Sequence, residues 1–118
     1  MNYVDGFVLP VPKKKVAAYF KMARQAARVW MQHGAIGFHE SLADDVPYGK
    51  RTSFPRSVKA KRGETVVFSW ILYKSRGDRD RVMKKVMADK RIAAMMKGTP
   101  PFDAKRMIFG GFKIRVSK

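Results

Sequence analysis

Thr65-Val66-Val67-Phe68-Ser69-Trp70-Ile71-Leu72-Tyr73-Lys74 is the stretch that decides the fold. It is rich in β-branched and aromatic residues, the composition of a strand. Successive side chains of a strand point to opposite faces, so Val66, Phe68, Trp70 and Leu72 share one face. Val67, Ser69, Ile71 and Tyr73 share the other. Neither face is polar enough to meet water. A sheet built around this strand must therefore be covered on both sides.

Working outward, Tyr3 to Leu9 reads as a first strand, ended by Pro10 and Pro12, which suit the start of a helix. From Lys13 to His33, the residues Val16, Tyr19, Phe20, Ala23, Ala27 and Trp30 recur at helical spacing and form one apolar stripe. Gly34 stops that helix. Ile36 to Val46 predicts a second strand, with Ile36, Phe38, Glu40, Leu42 and Asp44 on one face and Gly37, His39, Ser41 and Ala43 on the other. Pro47 to Gly63 reads as a long loop or loose hairpin arm. Ser75 caps a helix running to Ala88, with Asp78 three residues on, and Val82, Met83, Val86 and Met87 are its buried stripe. Asp89 caps a further short helix through Met96. After a break at Gly98 to Pro101, Met107 to Val116 predicts the last strand. Gly110 and Gly111 in its middle mark a bulge or the close approach of another backbone.

The order is strand, helix, strand, strand, helix, strand. Helical crossovers plus one direct strand-to-strand link give an α+β, ferredoxin-like βαββαβ fold: a four-stranded sheet with helices on one face, forming one domain over residues 1–118. Two helices cover one face only. Leaving residues such as Phe38, Phe68, Trp70 or Phe109 wet would open a patch of several hundred Å², more than monomers usually tolerate. The expected remedy is a homodimer whose sheets pack face to face as an α/β barrel.

Composition narrows the function classes. The 118 residues are 46% hydrophobic and 12% aromatic, the balance of a globular chain. No apolar run approaches the length of a membrane span. The stretch from Met1 to Pro10 lacks a basic leader and carries Asp5, so it reads as a strand and not a signal peptide, and a cytoplasmic location is expected. Without cysteine there are no disulfides, thiol nucleophiles or thiolate metal sites. The 26 Lys and Arg against 9 Asp and Glu give a formal charge of +17. Such a field draws polyanions. The cations are spread along the chain, however, which favours a solvated basic surface over a nucleic-acid or polyanion site.

Several segments are familiar. Tyr3-Val4-Asp5-Gly6-Phe7-Val8, Ala43-Asp44-Asp45-Val46-Pro47, Val66-Val67-Phe68-Ser69-Trp70-Ile71, Pro101-Phe102-Asp103-Ala104-Lys105-Arg106-Met107-Ile108 and Gly110-Gly111-Phe112 come in this order over nearly the whole length. By these the chain resembles the YbaA-like family of small bacterial proteins of unknown function. The resemblance implies a dimeric α/β barrel of two ferredoxin-like sheets around a shared interior, and it implies no reaction. Three features depart from the family pattern. Ser41 stands where a Cys is frequent, Ala104 and Phe109 stand in place of a Gly and a Tyr, and the basic excess is unusual.

Two carboxylates are candidates for acid/base chemistry. Asp5 lies within an apolar strand: either it faces the interior of the sheet pair as a proton acceptor or ligand-orienting group, or it pairs with a cation or caps backbone donors. Glu40 lies between Phe38 and Leu42, where an apolar setting raises a carboxyl pKa; the alternative is a buried ion pair. His39 faces away from Glu40, and His33 sits at a helix C-terminus; both read as structural. For ligand binding the candidates are Trp70 as a stacking surface, Ser53 and Phe54 as a lid, and Lys105 and Arg106 toward an anion. No phosphate loop, nucleophile elbow or metal-ligand spacing is present, and no cofactor or metal is expected. The first reading is a homodimer enclosing a pocket for a small molecule, with an anionic one among the options, as an enzyme or a plain binder. The rival is a polyanion binder.

Overall fold

A computed structural model describes residues 2–118; Met1, the first residue of the stretch read as a strand rather than a leader, lies outside them. The elements are β1 (Tyr3–Pro12), α1 (Val16–Gln32), β2 (Gly37–Leu42), α2 (Phe54–Ser57), β3 (Glu64–Tyr73), α3 (Arg76–Met87), α4 (Lys90–Met95) and β4 (Ile108–Lys113). Short 3₁₀ turns at Lys13–Lys15 and Ala104–Arg106 precede α1 and β4. The strands form one sheet in the order β2-β3-β1-β4, and every neighbouring pair is antiparallel. Strands joined by a helical crossover run in the same direction, with an antiparallel strand between them. This is the ferredoxin-like α+β arrangement.

β1 runs on through Pro10 and Pro12, past the end expected from those prolines. β4 pairs with β1 only from Tyr3 to Val8. Beyond Val8, β1 is an edge, the place where a strand tolerates residues without an N–H. β2 is shorter than the pattern suggested and ends at Leu42, although the Ala43 amide still donates to the Val66 carbonyl at 2.9 Å.

α1, α3 and α4 lie on one face of the sheet. Leu9, Val11 and Val67 pack there against Tyr19 and Ala23. Tyr3, Ile71 and Tyr73 pack against Val29, Val82, Val86 and Ile92. α1 ends where Gly34 takes a φ of +117°, a conformation that costs a side-chain-bearing residue. Ser75 caps α3 by accepting from the Asp78 amide, and Asp89 caps α4 by accepting from the Arg91 amide. The molecule measures 37 × 37 × 21 Å. Its thin dimension has room for one sheet and one helix layer, at about 10 Å each.

The glycine pair in β4 has a different cause from the one expected. The register passes through both residues without a bulge. Gly111 faces the helix layer, and a Cβ there would lie 2.8 Å from two carbons of the Tyr3 ring. The close neighbour is thus a buried side chain, not another backbone. Gly111→Ala is expected to lower stability by about 1–3 kcal/mol in urea unfolding, as overpacking does. Gly110→Ala meets nothing nearer than the Phe112 ring at 3.6 Å and is expected to stay within about 0.5 kcal/mol of the parent.

Candidate functional site

The face of the sheet opposite α1, α3 and α4 is built in cross-strand rows. His39, Trp70, Gly6 and Gly110 form the central row, flanked by Ser41, Phe68, Val8 and Ile108 on one side and Gly37, Leu72, Val4 and Phe112 on the other. The glycines matter by what they lack. A Cβ at Gly6 would meet nothing within 4 Å, so space lies open above Gly6, while over Gly110 the Phe112 ring comes within 3.6 Å of a Cβ position. Trp70 stands at one side of this depression, and Ile108 and Phe112 stand at the other.

The rings are in sequence. The His39 imidazole stacks on Trp70 with centroids 4.9 Å apart, Phe68 follows at 5.3 Å, and Phe54 meets Phe68 at 5.8 Å. Phe54 arrives from the arm between β2 and β3, which is more ordered than a loose loop. Ser53 caps α2 by accepting from the Arg56 amide. The Arg56 guanidinium lies 3.9 Å over the Tyr48 ring and donates to the Tyr48 and Gly49 carbonyls. Val58, fully buried, plugs the arm onto Val8 and Val66. The arm therefore covers one end of the face and leaves a cleft of about 190 Å³ between Phe54, Phe68 and the end of β2. The rest stays open: Phe68, Ile108 and Phe112 are 43%, 45% and 63% exposed.

Strand parity places two expected residues elsewhere. Phe38 lies on the helix side against Trp30, with centroids 5.8 Å apart. Phe109 also points to the helix side, stacked on Phe7 at 6.2 Å, but β4 extends past the helices and leaves it exposed.

Both candidate carboxylates also point into the helix layer, away from the open face. Asp5 accepts from Arg79 Nη1 at 2.6 Å, and Arg79 in turn lies over the Tyr3 ring. Burial pushes the Asp5 pKa up, and the Arg79 charge and hydrogen bond oppose that rise. The Tyr73 hydroxyl is close enough to Asp5 and Trp30 for each to affect its pKa, which burial raises. The Tyr73 hydroxyl also donates to the Met83 sulfur at 3.9 Å, and Trp30 Nε1 is buried without a hydrogen-bond partner among the described residues. Glu40 accepts from the Tyr19 hydroxyl at 2.7 Å. Burial raises its pKa, partly offset by hydrogen bonds from Tyr19 and Ser69. Asp5 and Glu40 are separated by β3 and offset by two residues along it, Asp5 opposite Ile71 and Glu40 opposite Ser69, about 12 Å apart at ordinary strand spacing, so they are not in direct contact.

The remaining candidates divide. Trp70 and Phe54 share the open face through Phe68. The Ser53 hydroxyl is used as a cap. Lys105 and Arg106 line a different cleft, of about 490 Å³, beside Pro12, Lys15 and Phe102. Arg106 is held there by Glu64 at 2.7 Å and Asp103 at 2.9 Å, and these bonds lower both carboxylate pKa values. His39, Ser41 and Phe112 join the face by parity alone. The signal was present in the alternation of Gly37, His39 and Ser41. Among the described residues no three His, Cys, Asp or Glu side chains gather to hold a metal, and no helix is long and apolar enough to cross a membrane.

With this geometry established, the relatives can be placed. A family model described as a protein of unknown function (DUF1428) matches residues 2–104. The chain belongs to the DUF1428 family. The uncharacterized protein YbaA of Escherichia coli K12 is 49% identical over 113 residues, 96% of each chain, and its counterpart in Shigella flexneri matches equally. The resemblance read from the strand and loop segments is thus family membership. A solved NIPSNAP-family protein of unknown function from Agrobacterium tumefaciens shares the fold with a TM-score of 0.61 at 14% identity, over 96% of this chain and 87% of its own. In this DUF1428 member the helix-side carboxylates are part of the packed layer.

Glu40 gives that layer a measurable pH dependence. Its folded pKa lies above the ordinary 4.5, so the fold binds its proton more tightly than the unfolded chain does. The resulting stabilisation is complete below pH 4.5 and is lost as pH rises through the folded value. Relative to Glu40→Gln, the parent is therefore expected to lose stability between acid and neutral pH in denaturant titrations. Parallel profiles for the two proteins would contradict the burial of an ionising Glu40.

Proposed function

We propose that two copies pair through their open sheet faces and enclose a pocket for a small, flat, largely apolar molecule. The supporting observation is the surface a single copy leaves in water. It exposes 8340 Å², whereas a compact monomer of 13.5 kDa exposes about 6,500 Å². A standard interface hides about 800 Å² per partner, well within that excess. The exposed Phe68, Ile108 and Phe112 lie on the face that pairing would cover.

The ligand class follows from the lining. Trp70 supplies a ring wall, and Gly6 and Gly110 supply a floor without side chains. None of the strand residues on this face is Lys or Arg, so an apolar ligand suits the site better than an anionic one. His39 and Ser41 are its polar handles, although the Ser41 hydroxyl already donates to the Phe68 carbonyl. Binding is favoured over carboxylate catalysis because Asp5 and Glu40 belong to the opposite face. His39 is the titratable side chain on the strands of the proposed pocket and the one group there suited to moving a proton.

The protein is expected to sediment as a dimer at micromolar concentration. Phe112→Glu should shift it to a monomer with unchanged far-ultraviolet circular dichroism, because Phe112 is 63% exposed in one copy and supports no core. A parent protein that sediments as a monomer overturns the proposal.

A further inference from the structure

The helix layer carries a second concave feature, away from the open sheet face. Three clefts run end to end along α1. One of about 500 Å³ lies between Arg28 and Arg91 and shares Gln25 and Met95 with a second of about 400 Å³. The second shares Lys15, Thr99 and Pro100 with the cleft at Lys105. From Lys15 to Arg28 the groove is about 20 Å long at the helical rise.

Its chemistry is two-sided. Met22, Ala18, Met95 and Pro100 give an apolar floor, and methionine fits itself to varied side chains. Lys15, Lys21, Arg28 and Arg91 stand around it. The two clefts along α1 are lined by no Asp or Glu. In the third, both acids, Glu64 and Asp103, are bound by Arg106. Such a surface matches a segment that is acidic and carries apolar side chains. A second copy of this chain matches it poorly: of its 9 acids, Asp5, Glu64, Asp78, Asp80, Asp89 and Asp103 are held in ion pairs, Glu40 is bonded to Tyr19, and the exposed Asp44-Asp45 brings two charges to the four cations Lys15, Lys21, Arg28 and Arg91. Single-stranded nucleic acid binds through aromatic stacking platforms, and no aromatic ring lines the two clefts along α1.

We infer that this groove docks a short acidic, apolar-bearing segment of a partner protein, about six residues if extended or a few turns if helical. It does not rest on dimer formation, because the groove lies on the layer that sheet pairing leaves outside.

The test uses the whole protein and a labelled peptide of Glu, Leu and Ala, read by fluorescence anisotropy, with oligoglutamate of equal charge and oligothymidylate as comparisons. The mixed peptide is expected to bind about tenfold more tightly than either comparison ligand. Ala18→Glu and Arg28→Glu, both at exposed helix positions, should each weaken it about tenfold. Lys84→Glu, the same charge change on α3 outside the groove, should weaken it by less than about threefold. Equal affinity for oligoglutamate or oligothymidylate would reduce the groove to bare charge attraction and overturn the inference. Equal losses in all three variants would overturn it as well.

Discussion

A sheet has two faces, and the elements that cover them are not interchangeable. In this fold the crossover helices α1 and α3 each follow a strand with the same hand, so both arrive on one side, with α4 beside them. There they bury Leu9, Val67, Ile71 and Tyr73. The other side, with Val4, Val66, Phe68, Trp70 and Leu72, receives only the arm that carries Phe54 and Val58. That arm covers one end of the face, and the apolar strip beyond it, with Phe68, Ile108 and Phe112, stays exposed in a single copy.

The helix layer shows how this chain handles charge in a small core. Asp5 is 6% exposed and is the third residue of β1. An unpaired carboxylate there would be costly, and Arg79 reaches down from α3 to meet it. Glu40 is met by neutral donors, Tyr19 and Ser69; burial raises its pKa and their hydrogen bonds only partly offset the rise. Both groups tie helices to strands: Arg79 holds α3 over β1, and Tyr19 holds α1 over β2. Their positions explain why strand-embedded acids can be structural. They also leave the open face almost free of ionisable groups, which suits an apolar occupant.

Much of this was legible in the sequence because alternation in Thr65 to Lys74 fixes both faces of the central strand at once. The capping residues Ser75 and Asp89 gave the helix starts for the same local reason: their side chains accept from amides two or three residues on. What was not legible depends on neighbours distant in sequence. Parity separates Phe38 from His39, but only the register shows which of them faces the helices. Arg79 as partner of Asp5 is 74 residues away and is one of 26 cations. The order of the arm comes from Arg56 reaching Tyr48 and Gly49, contacts that no periodicity announces.

The central claim is that the open sheet face is buried in solution, and Trp70 reports on it directly. A Trp30→Phe background leaves Trp70 as the sole tryptophan and removes a buried indole N–H that lacks a partner. Acrylamide is the suitable quencher, since it is uncharged and does not gather around a protein of formal charge +17. The account predicts blue-shifted Trp70 emission, little quenched by acrylamide at micromolar protein and increasingly quenched on dilution as the sheets separate. Red-shifted emission, freely quenched at every concentration, would contradict it.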